Sequence, residues 1–238
     1  MSRRPLAWKV AASILTVGLA SLSVLPYSPA AANPPTISGS FSFDPQSASA
    51  VCDPLAADSP FVLPAGFSQS IIASEASDPD FLERSDMNQV NETGAQVGRF
   101  LYRSHELTPN SVTPGAGVSV TDLETGDTTI LARRADWERF DGLKWTPWRT
   151  LLVAEEVVTA VRRDPDYPSA TSGLVYEINP ETGEVVARPA LGSKSHEGIG
   201  IDPAGNIYGI DEFASGGIYK FVPDRRADLS SGQLYVLK

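Results

Sequence analysis

The chain has one cysteine, Cys52, and two histidines, His105 and His196, in 238 residues. A lone cysteine excludes an internal disulfide, and its Ser/Ala-rich surroundings mark it as an inert thiol. With so few Cys and His the chain is poor in the donors that zinc prefers. Positive charge is also short. Nineteen Lys and Arg against 29 Asp and Glu give a net charge of −10. That balance argues against nucleic acid as a partner, because nucleic acid calls for basic patches. It suits hard cations, which take oxygen ligands. The N-terminal apolar run, Val10 to Leu25, falls short of the ~20 strongly apolar residues of a membrane-spanning helix. Ser, Thr and Gly dilute it, and Pro26 stops it.

That run has another use. Arg3, Arg4 and Lys9 precede it and Ala30-Ala31-Ala32 follows it. Basic start, apolar stretch and small-residue cleavage site make an export signal. Residues 1–32 are expected to be removed on export to the periplasm, the extracellular space or the cell surface, leaving no membrane span. Ser2-Arg3-Arg4 fits a twin-arginine signal and an ordinary secretory signal alike. Residues 33–60, rich in Ser, Pro and Ala, read as a tether. The folded part is expected over 61–238, and 42% hydrophobic residues suffice for a core.

A repeat organises that part. Ser195-His196-Glu197-Gly198-Ile199 to Asp211-Glu212 matches Asp141-Gly142-Leu143 to Glu155-Glu156, fifty-six residues earlier. Phe100-Leu101-Tyr102-Arg103-Ser104-His105-Glu106 ends the same way, fifty residues before Glu156. Ile199 and Ile201, then Ile207 and Ile210, flank the turn cluster Asp202-Pro203-Ala204-Gly205-Asn206, which reads as a hairpin. Two further strands follow in each unit. Gly173 to Pro180 matches Gly216 to Pro223, with second turns at Glu181-Thr182-Gly183-Glu184 and Ser231-Gly232-Gln233. Four short strands per roughly fifty residues predict a propeller blade. The fold expected is therefore an all-β propeller with about three blades present, open or incomplete, because closure needs at least four. The segment from Phe67 to Ala73 is expected to be an edge strand.

Hairpin geometry brings the start of the first strand beside the end of the second. It sets Asp141 near Glu155 and Glu156, and Glu197 near Asp211 and Glu212. Solvated loop acids have no reason to keep register across units, so Glu106, Glu156, Glu197, Asp211 and Glu212 are candidate metal ligands. Carboxylates favour Ca²⁺, Mg²⁺, Mn²⁺ or iron. Adjacent strand residues face opposite ways, so in His105-Glu106 and His196-Glu197 the Glu is placed in the site. Each His is a ligand or a packing residue. Trp137, Trp145 and Trp148 are assigned to packing. A long loop, Val157 to Ser172, leaves the second strand at the edge of the acids. Its Arg162 and Arg163 are either solvated or contacts for an anionic substrate.

Several segments, in this order along the chain, carry a resemblance. Leu63 to Phe67, Ser104-His105-Glu106, Pro147 to Glu156, His196-Glu197-Gly198, Asp211-Glu212 and Ile218 to Pro223 together resemble the PhoX-type alkaline phosphatases and their relatives, the domain-of-unknown-function 839 group. The likeness spans roughly 61–238 and suggests an N-terminal fragment of such a protein. It implies an exported β-propeller that hydrolyses phosphomonoesters with calcium and iron ions held by carboxylates at one end of the channel. It also implies ligand roles for Glu106, Glu156, Glu197 and Asp211 or Glu212. One position departs: the phosphatases place a Cys iron ligand just before the paired acids, and this chain has Ala154. Two functions follow as expectations. One is a metal-dependent hydrolase for small phosphorylated substrates, with Ca²⁺ and, less well matched, Fe³⁺. The other is a non-catalytic calcium-binding propeller.

Overall fold

The computed structural model describes residue 61 and residues 68–76, 78–157, 164–213 and 216–237. The expected export signal and tether, Phe67, Arg162 and Arg163 lie outside them. The described residues belong to one compact unit, Cys52–Lys238. They hold twelve strands and no α-helix. The strands form three four-stranded antiparallel sheets, each pairing its strands in chain order, and none is closed. The first sheet holds β1 (Ser85–Val90), β2 (Phe100–His105), β3 (Gly117–Asp122) and β4 (Thr128–Arg133). The second holds β5 (Phe140–Trp145), β6 (Leu151–Glu155), β7 (Val175–Ile178) and β8 (Val185–Ala187). The third holds β9 (His196–Ile201), β10 (Ile207–Asp211), β11 (Gly217–Arg225) and β12 (Asp228–Val236). No helix of the described residues is long and apolar enough to cross a membrane.

Alternation makes each sheet two-faced, and the apolar faces stack in series. Tyr102, Val118 and Ala132 of the first sheet meet Phe140, Leu143, Trp145, Val153, Tyr176 and Ile178 of the second. Leu152, Ala154 and Val175 leave the other face of the second sheet and meet Ile207, Phe221 and Leu229 of the third. Each large apolar side chain so buried contributes about 1.5–3 kcal/mol. Stacking also sets the first strands side by side: β5 lies against β1 and β2, and β9 against β5 and β6. Trp137, Trp145 and Trp148 pack as the sequence suggests, the first two buried and the third against the second cluster.

Each first strand carries one extra residue at the same place. Ser85 pairs with His105 and Asn88 with Arg103, Phe140 with Glu155 and Leu143 with Val153, His196 with Asp211 and Ile199 with Gly209. Three residues advance on the first strand for every two on its partner, which is a β-bulge. Bulges re-aim side chains and collect beside functional sites. The bulged pairs here are Asp86-Met87, Asp141-Gly142 and Glu197-Gly198, so each begins with an acid.

Gly142 has a steric reason. A Cβ there would stand 2.2 Å from the carbonyl oxygen of Glu197, so glycine alone lets the second and third bulges touch. Gly142→Ala is expected to cost about 1–3 kcal/mol as an overpacking change. A thermal melt showing no loss would remove this role from Gly142.

Two expectations need correction. Residues 68–73 are not a strand; with Phe67 outside the description, no edge strand is seen there. The last turn also sits elsewhere. Arg225 pairs with Asp228 across Arg226-Ala227, while Ser231-Gly232-Gln233 runs inside β12. Ala227 takes the left-handed conformation, φ 68°, and the Arg225–Asp228 ion pair closes the hairpin at 2.5 Å. Gly232 is a close-approach glycine: a Cβ would meet the Val222 carbonyl at 2.4 Å. The other turn stands as read. Asp202 accepts from the Asn206 N–H at 2.9 Å, and Gly205 has φ 88°.

Candidate metal centre

One hydrogen bond recurs at the bulged end of every sheet. The Glu106 N–H donates to the Arg84 carbonyl at 3.0 Å, that of Glu156 to Arg139 at 2.8 Å, and that of Glu212 to Ser195 at 3.2 Å. Each bond ties the residue after a second strand to the residue two before a bulge acid. It fixes three acid pairs: Asp86 with Glu106, Asp141 with Glu156, and Glu197 with Glu212. Arg84 and Arg139 take left-handed conformations, φ 53° and 42°, which is uncommon for side chains of this size.

Because the first strands are neighbours, the pairs gather at one end. Carboxylate oxygens of Asp86, Glu106 and Asp141 lie within 4.8 Å of one another and could hold a metal ion. Asp141 is the most enclosed, 4% exposed, and its Oδ1 is buried without a hydrogen-bond partner. Burial first, and then proton sharing with Asp86 and Glu197, push its carboxyl up to about 9. Burial, then Glu212 and Glu106, raise Glu156 to about 7, against the pull of Arg139. Glu106 is raised by burial and by Asp86 and Glu197, with Arg139 and Arg84 opposing. Buried like charges at this density favour either shared protons or a cation.

Of the sequence candidates, Glu106 belongs to this group, Glu197 acts on Asp141 and Glu106, and Glu156 interacts with Glu212 and Glu106. Asp211 is set apart. It pairs in register with His196, its Oδ1 accepts from the Phe213 N–H at 3.3 Å, and its charge acts on Lys194. Glu155, the equivalent residue of the second sheet, is likewise turned away. It accepts from the N–H groups of Glu138 and Leu174 at 3.0 and 3.1 Å. Both histidines are packing residues kept neutral by burial. His105 lies 3.0 Å from the Glu83 carbonyl and 2.8 Å from Ser119 Oγ. His196 lies 3.3 Å from the Gly192 carbonyl. Of the long loop, Asp164 accepts from the Tyr176 hydroxyl at 2.5 Å, which ties Asp164 to the second sheet.

Sequence reading missed Asp86. It precedes Glu106 by twenty residues, whereas fifteen separate Asp141 from Glu156 and Glu197 from Glu212. The longer loop after β1 accounts for the difference and hid the repeat. The signal was there in the acid fifty-five residues before Asp141.

The donor set, oxygen throughout, suits a hard cation. Ala154, where a thiolate is expected by resemblance, is fully buried in the apolar cluster between the second and third sheets. No protein-family model matches the chain, and no curated protein matches it.

Proposed function

We propose that the three sheets are blades of an exported β-propeller, and that their acids bind Ca²⁺ in a metal-dependent hydrolase of phosphomonoesters. The observation that carries this reading is the unpartnered Oδ1 of Asp141, buried among carboxylates. A buried polar atom without a partner costs about 1–3 kcal/mol, and a cation removes that cost.

Asp86, Glu106 and Asp141 would hold the ion, with Glu156, Glu197 and Glu212 beside them. A bound cation supplies a Lewis-acidic contact for phosphoryl oxygens and steadies the charge of the transition state. The chain's own residues do the rest. The bulges aim the acids, and the three backbone hydrogen bonds hold them. Fe³⁺ fits less well, because Ala154 offers no thiolate.

Ala154 favours the second reading, a calcium-binding propeller without turnover. Metal analysis together with p-nitrophenyl phosphate hydrolysis separates the two. Bound calcium with turnover lost on chelation supports the hydrolase. Bound calcium without turnover supports the binding propeller. Protein that takes up no cation overturns both. Ala154→Cys tests iron: a gain of iron would show that the missing thiolate is what excludes it.

A further inference from the structure

At the end of the strands away from the acids, the core between the first and second sheets opens into a cleft of about 380 Å³. Small-molecule sites run from about 300 to 1,000 Å³. Phe100, Tyr102 and Val120 line the cleft from the first sheet, and Trp145, Arg149 and Glu181 from the second. The Tyr102 and Trp145 rings stack with centroids 5.8 Å apart at 22°. Both are 5% exposed, whereas Arg149 and Glu181 are exposed. The cleft is thus aromatic within and carries one charge of each sign at its mouth.

Its walls are fixed before any ligand arrives. Trp145 Nε1 donates to Thr93 Oγ1 at 2.9 Å, and Asn91 Oδ1 accepts from the Phe100 N–H at 2.9 Å, which fastens the loop after β1 across the two sheets. Arg149 stands where its turn calls for glycine, with φ 68°. The turn holds it there: the Arg149 N–H donates to the Thr146 carbonyl at 3.0 Å, and the Thr150 N–H to Thr146 Oγ1 at 2.9 Å. Side chains kept in the left-handed region cost stability, and such positions collect at ligand clamps.

The groups facing the cleft also lack partners. Charges around it are paired, Lys144 with Glu92 at 2.7 Å, Arg99 with Asp122 at 2.6 Å and Arg188 with Glu177 at 2.6 Å. Among the described residues Arg149 and Glu181 make no ion pair, and the Tyr102 hydroxyl makes no hydrogen bond. Burial, and then the Glu181 charge, push that hydroxyl up to about 12, so it stays a donor at ordinary pH.

We infer that this cleft binds a small zwitterion, an amino acid with an aromatic side chain. Its carboxylate meets Arg149, its ammonium meets Glu181, and its ring lies against Phe100, Tyr102 and Trp145. Guanidinium matches a carboxylate bidentately, and aromatic rings pack on one another by offset or edge contacts. A neutral sugar would leave both charges unmatched, and a phosphate ester would be repelled by Glu181. The inference stands apart from the cation reading, because Phe100 begins β2 and Glu106 follows its last residue.

The test is calorimetric titration of the 238-residue chain in EDTA with L-phenylalanine, phenethylamine and 3-phenylpropionate. L-Phenylalanine should bind at least about 10-fold tighter than either single-charge analogue, the factor that a hydrogen bond to a charged group supplies. Arg149→Gly should weaken L-phenylalanine and 3-phenylpropionate, spare phenethylamine and raise the melting temperature, since glycine adopts this conformation freely. Glu181→Gln should weaken L-phenylalanine and phenethylamine and spare 3-phenylpropionate. No binding of L-phenylalanine overturns the inference, as does tighter binding of glucose or p-nitrophenyl phosphate. Three compounds bound alike overturn it too, because the rings alone then attract them. Melting shifts that fail to add in the double variant would show Arg149 and Glu181 paired with each other, which also overturns it.

Discussion

Asp141→Asn is expected to abolish high-affinity cation binding and, in the same protein, to stabilise the cation-free fold. The two effects have one cause. Asp141 is enclosed, has an unpartnered oxygen and shares its proton with Asp86 and Glu197. An amide keeps the shape and removes the anion that a hard cation requires. It also spares the fold the proton that the buried carboxyl must otherwise take up to stay neutral among its neighbours. Calcium affinity should fall by more than about 100-fold, equivalent to about 2.7 kcal/mol, while the melting temperature in chelator rises. Glu197→Gln and Glu212→Gln should each lower metal content, and turnover where there is any. Glu184→Gln is the control, since Glu184 is exposed in an outer turn. Calorimetric titration with CaCl₂ and melting in EDTA give both readouts. Unchanged affinity in Asp141→Asn, Glu197→Gln and Glu212→Gln would return the acids to the status of solvated strand ends.

Raising the pH should weaken the cation-free protein over a range where most proteins are indifferent. The sign follows from proton binding. Asp141 and Glu156 hold protons in the fold up to about 9 and about 7, whereas free carboxyls release theirs near 4. Buried Glu155 adds to this, raised to about 7 by desolvation against two backbone N–H donors. The native state therefore binds more protons than the unfolded state between these limits, and stability falls as pH rises through them. A tenfold change in proton affinity is worth about 1.4 kcal/mol, and each kcal/mol about 2–4 °C at this size. A melting temperature lower by at least about 10 °C at pH 9 than at pH 5 is expected in EDTA. Saturating calcium should flatten the curve, because the ion replaces the shared protons and binds more tightly as they leave. A cation-free protein whose melting temperature is level from pH 5 to 9 would show that these carboxyls titrate normally.

The repeat made the strands legible because each unit keeps both its hydrophobic alternation and its turn chemistry. Asp202 to Asn206 could be placed as a turn from its Asp, Pro, Gly and Asn and from the aliphatic runs on either side. Ser231-Gly232-Gln233 deceived for a physical reason: glycine marks a turn and a tight backbone approach with the same letter, and Gly232 is the second. The acids of the second and third sheets were legible through register, because fifteen residues separate the two acids in both. Asp86 was passed over because the longer loop after β1 breaks that spacing, and Asp211 and Glu212 looked interchangeable until pairing set Asp211 against His196 and the backbone bond tied Glu212 to Ser195.

The backbone bonds from Glu106, Glu156 and Glu212 have a consequence for how such a protein can change over generations. Each sheet fixes its own pair of acids through its own main chain, and no pair needs a neighbour's side chain to be placed. Duplicating one unit thus duplicates a correctly aimed pair of ligands at the moment of duplication, before any selection for binding has acted. Charge number at the site becomes a matter of copy number, and affinity can grow in whole steps rather than residue by residue.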